Sequence, residues 1–274
     1  MQIIPIQSME NMDYYLFGDA HIGTLAFSER DFDKVIMEIQ NNPIARCSTM
    51  GDLLEAFWVD DQKRFDLETN KASPLAQRKD MIAKLSAIQG KIDTLLDGNH
   101  ERYLLKKVGK ITEDICNELK VPYGTFSAKL EFSDGYKFFI MHGARGITSM
   151  SPDPVRKKAY MLFTLQRHLQ NKAGDCIVMA KGHAHKLLVS TPLPILYTVT
   201  EKGKLKAYYT KPGSREIYIS PEHRYYACTA SFLKSQLIGV DTYSERFELD
   251  PVELGYVKII VRDKKVQDVL PMIV

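Results

Sequence analysis

Five of the chain's seven histidines, two aspartates and one asparagine gather in five short clusters. In order these read Asp19-Ala20-His21, Gly51-Asp52, Gly98-Asn99-His100-Glu101, Met141-His142-Gly143 and Gly182-His183-Ala184-His185. Imidazole and oxygen donors of this mix suit Mn²⁺, Fe²⁺, Zn²⁺, Ni²⁺ or Co²⁺, and the absence of thiolates speaks against a structural zinc site. In an extended segment residues i and i+2 share a side, so Asp19 and His21 can chelate one ion. His183 and His185 have the same spacing and can be divided between two ions. One carboxylate has to bridge ions held about 3.5–4 Å apart, and Asp52 is the candidate. Two divalent ions less the two carboxylates leave a surplus of roughly +2, which would attract a phosphate and steady the charge of its transition state. A histidine beyond the ligand set could serve as general acid.

Taken singly, most of these clusters have ordinary explanations. Gly51-Asp52 is a common turn, Asn99 can open a helix after Gly98, and His142 can be a hydrogen-bonded residue at a strand end. Their joint occurrence, each after a strand-like segment, argues for a shared site, because strand ends are where an α/β sheet presents chemistry. His168, near a helix C-terminus, and His223, in a polar loop, are left outside it.

The elements that must position the clusters can be read from periodicity. Tyr14 to Phe17 is a buried strand running into Asp19. Ser28 should cap a helix whose apolar face is Phe32, Val35, Ile36 and Ile39, ending at Asn41-Asn42-Pro43. Strands at 45–50 and 92–96 lead to Asp52 and Asn99. Helices are predicted from Ser73-Pro74 to about Ile88 and over 112–119. Lys129 to Phe132 and Lys137 to Met141 form a hairpin ending at His142. Pro154 to Leu169 should be an amphipathic helix presenting Val155, Ala159, Leu162, Leu165 and Leu169. A strand over 176–180 carries the Gly182 to His185 turn. Beyond Leu187 come short β-like runs at 193–200, 204–210, 224–229 and 256–261, with 242–251 as a surface loop. Residues 58–70 are expected to form an irregular excursion over the site. The expectation is one α/β (α+β) domain over 1–274, a four-layer α-β-β-α sandwich of two mixed sheets flanked by helices. Its β-rich part from about 187 would complete the second sheet.

Composition sets bounds. The 274 residues are 45% hydrophobic and 26% charged with a formal net charge of +3, ordinary for a globular chain and less basic than a dedicated nucleic-acid binder. The basic groups at Lys106-Lys107, at Arg156-Lys157-Lys158 and at Lys202, Lys204 and Lys206 read as solvated faces. Cys47, Cys116, Cys176 and Cys228 form no paired motif, so a reducing compartment is expected. Met1 to Tyr15 lacks the pattern of a secretory signal, and no apolar run suits a membrane helix. These features predict a soluble, cytoplasmic protein.

With its five clusters in this order, the chain resembles the calcineurin-like metallophosphoesterase superfamily. The resemblance implies Asp19, His21, Asp52 and His185 on a first ion, and Asp52, Asn99, His142 and His183 on a second. His100 would bind no metal; it would steady the phosphate and protonate the leaving oxygen. The ions would most commonly be Mn²⁺, with iron (Fe²⁺/Fe³⁺) and zinc as known alternatives. Many members carry an acidic residue three positions after the bridging aspartate, where it orients the catalytic histidine, and Glu55 fills that place. The Arg that follows in protein Ser/Thr phosphatases is replaced here by Ala56-Phe57. The stretch from Gly51 to Trp58 is similar to the UDP-diacylglucosamine pyrophosphohydrolases, yet those carry Arg where this chain has His100. The stretch from Gly98 to Gly124 resembles phosphoesterases of phage and prophage origin, which would make the chain phage-encoded in a bacterial host.

The implied activity is a dinuclear metal-dependent phosphodiesterase or nuclease acting on nucleic acid (DNA or RNA) or nucleotides. The alternatives are a phosphomonoesterase or nucleotide pyrophosphohydrolase, and a non-catalytic protein using the metal site as a scaffold for a binding surface. Arg102, Arg145 and Lys186 lie beside the motifs and are candidate contacts for substrate phosphates. Oligomeric state is not legible.

Overall fold

A computed structural model of the chain describes residues 1–58, 73–210 and 217–274. Most of the expected excursion at 58–70 therefore lies outside the described residues. The strands are β1 (Gln2–Ile6), β2 (Met12–Phe17), β3 (Ala45–Thr49), β4 (Ile92–Leu95), β5 (Ser127–Phe132), β6 (Lys137–Met141), β7 (Val178–Lys181), β8 (Leu188–Ser190), β9 (Leu196–Glu201), β10 (Lys204–Tyr209), β11 (Tyr225–Cys228), β12 (Gly255–Arg262) and β13 (Lys265–Ile273). The helices are α1 (Glu29–Asn41), α2 (Pro74–Ser86), α3 (Asn99–Tyr103), α4 (Leu105–Val108), α5 (Ile111–Leu119), α6 (Pro154–Leu169) and α7 (Tyr243–Arg246).

Two mixed sheets carry the fold, a five-stranded one in the order β13-β12-β2-β3-β4 and a six-stranded one in the order β1-β5-β6-β7-β11-β8. Strand alternation makes the layers. In β2, Tyr14 and Leu16 face a cluster shared with Leu130, Phe138, Ile140, Val178, Val257 and Ile259 of both sheets. Tyr15 and Phe17 face the opposite way, onto Phe32, Val35, Ile36 and Ile39 of α1 and onto α2 and α5. Phe139, Met179 and Tyr226 of the second sheet turn outward onto Leu165 and Leu169 of α6. The result is the predicted helix–sheet–sheet–helix order: one apolar cluster lies between the two large sheets and a separate one under the helices on each outer side.

The parallel strands β2, β3 and β4 of one sheet, and β6 and β7 of the other, end beside the motif loops. Parallel neighbours deliver their C-terminal loops to the same edge, which is how motifs far apart in sequence reach one place.

Several local expectations are revised. Ser28 occupies the cap position of α1, but its hydroxyl donates to the Asp31 carboxylate at 2.7 Å and makes no cap bond to the helix backbone. On α6 only Leu165 and Leu169 are buried; Val155 and Ala159 are exposed and Leu162 half-buried. The loop at 242–251 contains α7. The chain beyond 187 is split between the sheets: β8 and β11 join the six-stranded sheet, β12 and β13 the five-stranded one, and β9 and β10 pair only with each other. All four cysteines are buried and unpaired.

Candidate metal centre

Asp19, His21 and Asp52 lie just beyond β2 and β3, in loops joined by backbone hydrogen bonds from Asp19 N–H to Gly51 O (2.9 Å), His21 N–H to Asp52 O (3.0 Å) and Ile22 N–H to Leu53 O (2.9 Å). That pairing holds unusual backbone. Asp19, His21 and Asp52 have φ of 48°, 53° and 47°, and His183 and His185 have 67° and 49°. Each costs a non-glycine residue on the order of 1–2 kcal/mol. Five such residues in one place mark a constellation imposed by the surrounding structure. Glycine is needed where the loops touch: a Cβ on Gly98 would come within 1.9 Å of Asp52 Oδ1.

All seven predicted ligands converge. Asp19, His21 and His185 form one group able to hold an ion, and Asp52, His142 and His183 another. Asn99 belongs with the second, its Oδ1 lying 2.9 Å from His142 Nε2 and 2.7 Å from His183 Nδ1. Asp52 Oδ2 faces both groups, 3.2 Å from His142 Nε2 and 3.9 Å from His21 Nε2. His185 Nε2 is 3.3 Å from Asp19 Oδ1, and the His183 backbone N–H donates to both Asp19 oxygens at 3.1 Å.

The donor chemistry fits a pair of cations. His142 Nδ1–H donates to the Met50 carbonyl at 2.7 Å, so in the neutral ring Nε2 carries a lone pair. That lone pair meets the oxygens of Asn99 and Asp52, and the cluster of electron pairs needs a positive charge among them. His21 is the counterpart: its Nδ1–H donates to Glu55 Oε2 at 2.7 Å, turning Nε2 toward His185 Nε2 at 3.3 Å. Second partners of this kind fix ring orientation in metal sites.

The electrostatics express the same demand. Burial pulls His21 down to about 4 despite Asp52 beside it. Burial and the charge of His142 take His183 down to about 4. His142 goes the other way: burial disfavours its cation, yet the Asp52 carboxylate lifts it to about 9. His185 is also raised, the hydrogen bond and charge of Asp19 outweighing burial. Asp52 is held well below the carboxylate range, because His142 and His100 outweigh its burial.

His100 sits within the same shell. Its Nδ1–H donates to the Glu55 carbonyl at 2.8 Å, its Nε2 lies 4.0 Å from Asp52 Oδ2, and its backbone N–H donates to Asp52 Oδ1 at 2.9 Å. His21, Asp52 and His100 thus make a third group within ligand distance. Glu55 departs from the expected geometry. Its carboxylate lies nearest His21, and its contact with His100 runs mainly through the backbone carbonyl, the side-chain oxygen being 3.4 Å from His100 Nδ1.

Glu101 is the residue sequence reasoning passed over. It is 3% exposed and accepts the backbone N–H groups of Asp52 (3.1 Å), Gly98 (2.9 Å) and Leu54 (2.8 Å). Burial and the nearby Asp52 charge push its carboxyl up to about 8. Its place three residues after Gly98 at the start of α3 is the capping pattern that could have revealed it. These neighbours correct the charge count. Including Glu55 as a carboxylate cuts the surplus from +2 to roughly +1.

The three candidate substrate cations are not drawn into the ligand cluster. Arg102 is exposed, its guanidinium 5.1 Å from the Phe126 ring centre. Arg145 is exposed, and its carbonyl accepts from the buried Lys181. Lys186 is half-buried and its charge acts on Asp250. His168 and His223 stay outside the metal groups, His223 Nε2 lying 2.7 Å from Thr210 Oγ1.

No protein-family model matches the chain, and no curated protein does. Among solved structures it is similar to vacuolar protein sorting 29 from Cryptosporidium parvum (13% identity, TM-score 0.39, covering 96% of this chain and 97% of that one). It is also similar to the NAD nucleotidase of Haemophilus influenzae (12%, TM-score 0.38, 96% and 50%). A third is a Saccharomyces cerevisiae protein serine/threonine phosphatase with similarity to human phosphatase PP5 (10%, TM-score 0.37, 94% and 76%). At such scores the likeness is loose, and the functional reading stands on the chain's own residues. Among the described residues no helix is long and apolar enough to cross a membrane.

Proposed function

We propose that this protein is a dinuclear metal-dependent phosphoesterase acting on phosphodiesters of nucleic acid or nucleotides. The observation carrying this reading is the convergence of seven ligand side chains on two positions that share Asp52. Manganese is the proposed metal, with iron, zinc, nickel or cobalt compatible with the donor set. When bound, such a pair supplies an activated water and a cationic seat for phosphoryl oxygens.

The chain's own residues do the rest. Asp52 joins the two positions, and Glu55 and the Met50 carbonyl hold the His21 and His142 rings with their Nε2 atoms inward. His100 would act on the leaving group: its Nδ1–H donates to the Glu55 carbonyl, and its Nε2, 4.0 Å from Asp52 Oδ2, would release a proton to the departing oxygen. The replacement of the phosphatase arginine after Glu55 by Ala56-Phe57 favours a diester over a phosphoprotein.

The test is hydrolysis of bis-p-nitrophenyl phosphate and p-nitrophenyl phosphate by Mn²⁺-loaded protein, with Asp52→Asn as control. Turnover of the diester in preference to the monoester, lost in the variant, is expected. A folded Asp52→Asn protein as active as wild type would end the assignment.

A further inference from the structure

A cavity of about 180 Å³ lies beside the centre, sharing with it Glu101, which accepts the Asp52 N–H, and none of the seven candidate ligands lines it. Beside Glu101, its walls are Asp97, Arg102, Leu105, Lys110, Tyr123 and Thr125. It lies where residues 121–126 run along the free edge of β4, tied by Gly124 N–H to Leu95 O (2.9 Å) and Asp97 N–H to Thr125 O (2.8 Å). The link to the centre is short. Arg102 stands over the Phe126 ring, Phe126 meets the ring of His142 edge-on at 5.7 Å, and its carbonyl accepts the His142 N–H at 3.1 Å.

Resting on the phosphodiesterase reading, we propose that this cavity binds the nucleobase of the substrate while the scissile phosphate occupies the metal centre. The lining has the chemistry a base needs. Leu105 and the Tyr123 ring offer apolar, flat contact, and stacking on an aromatic ring is tolerant of base identity. The Asp97 carboxylate, which accepts the Tyr123 hydroxyl, can accept an exocyclic amine or ring N–H, as acidic side chains do from bases. Thr125 adds a hydroxyl. Arg102 and Lys110, the latter with its ammonium 5.6 Å from the Tyr123 ring centre, bring positive charge suited to the phosphate flanking that base. The volume suits one ring system, and its two acidic side chains, Asp97 and Glu101, and two cations disfavour an acyl chain.

Two esters with the same leaving group isolate the base: thymidine 5′-monophosphate p-nitrophenyl ester has one, bis-p-nitrophenyl phosphate does not. Leu105 is 46% exposed, so Leu105→Trp can crowd the cavity without disturbing a core. Tyr123→Ala removes the stacking ring and is the harsher companion. Both variants are expected to raise KM for the thymidine ester about five- to tenfold, with kcat and the KM for bis-p-nitrophenyl phosphate within twofold. Equal KM changes for both esters, or none for either in both variants, would overturn the base pocket. Wild-type protein that loads Mn²⁺ yet cleaves neither ester would instead overturn the phosphoesterase reading beneath it.

Discussion

The two ion positions share Asp52 and use similar imidazoles, yet their surroundings differ. The first is built with Asp19 as a second carboxylate, and behind His21 stands the Glu55 carboxylate at 2.7 Å. The second has the neutral Asn99 in place of Asp19, and behind His142 stands only the Met50 carbonyl. A divalent ion at the first position thus meets more negative charge, and a charged partner makes His21 the stronger donor. The comparison teaches that the two halves are not equivalent: an ion at the first position would be held more tightly than one at the second.

The largest effect should come from the residue common to both halves. Asp52→Asn is expected to lower kcat by on the order of 10³-fold or more, since neither position survives intact; steady-state assay on bis-p-nitrophenyl phosphate reads it. His100→Ala should retain both ions while kcat falls by about 10²–10⁴, most for esters with poor leaving groups. Loss of one metal equivalent in that variant would make His100 a ligand, as its proximity to His21 and Asp52 allows. Glu55→Gln tests the asymmetry itself. It should weaken Mn²⁺ at the tighter position about 10-fold and spare the other, which titration calorimetry can resolve. Equal weakening of both would erase the distinction.

The smallest effect serves as a control away from the centre. Asp175 lies before β7, at the end opposite His183, and accepts Lys129 at 2.7 Å and Lys137 at 2.8 Å. Burial pushes its carboxyl up, but the two ammonium groups win and take it down to about 2 from 3.8. A folded pKa below the unfolded one stabilises the fold above about pH 4, and that contribution fades as pH falls toward 2. Asp175→Asn should lower Tm by a few degrees at pH 6, a difference that disappears near pH 2, with metal affinities unchanged.

The side chains that gather at the candidate centre were legible in the sequence because each stands at a strand end, and five such ends recur in one chain. The supporting contacts were less so. Glu55 bonding His21 depends on the pairing of the 19–22 and 51–55 loops, a tertiary fact. Glu101 looked like part of a motif, and its three backbone bonds emerge only when Asp52, Leu54 and Gly98 meet. Strands β1 and β13 were missed for a simple reason: both lie at sheet edges, contain proline (Pro5 and Pro271) and are largely exposed or half-buried, so the apolar signal is weak. The α6 face was overread, since half of a helical stripe can remain uncovered.

The central claim is that Asp52 bridges two cations. Anomalous diffraction from Mn²⁺-loaded crystals, with metal analysis of the same protein, tests it most directly. Two peaks about 3.5–4 Å apart, one beside Asp19, His21 and His185 and one beside Asn99, His142 and His183, are the predicted result. A single peak, or none with the imidazoles hydrogen-bonded only to each other, would contradict it.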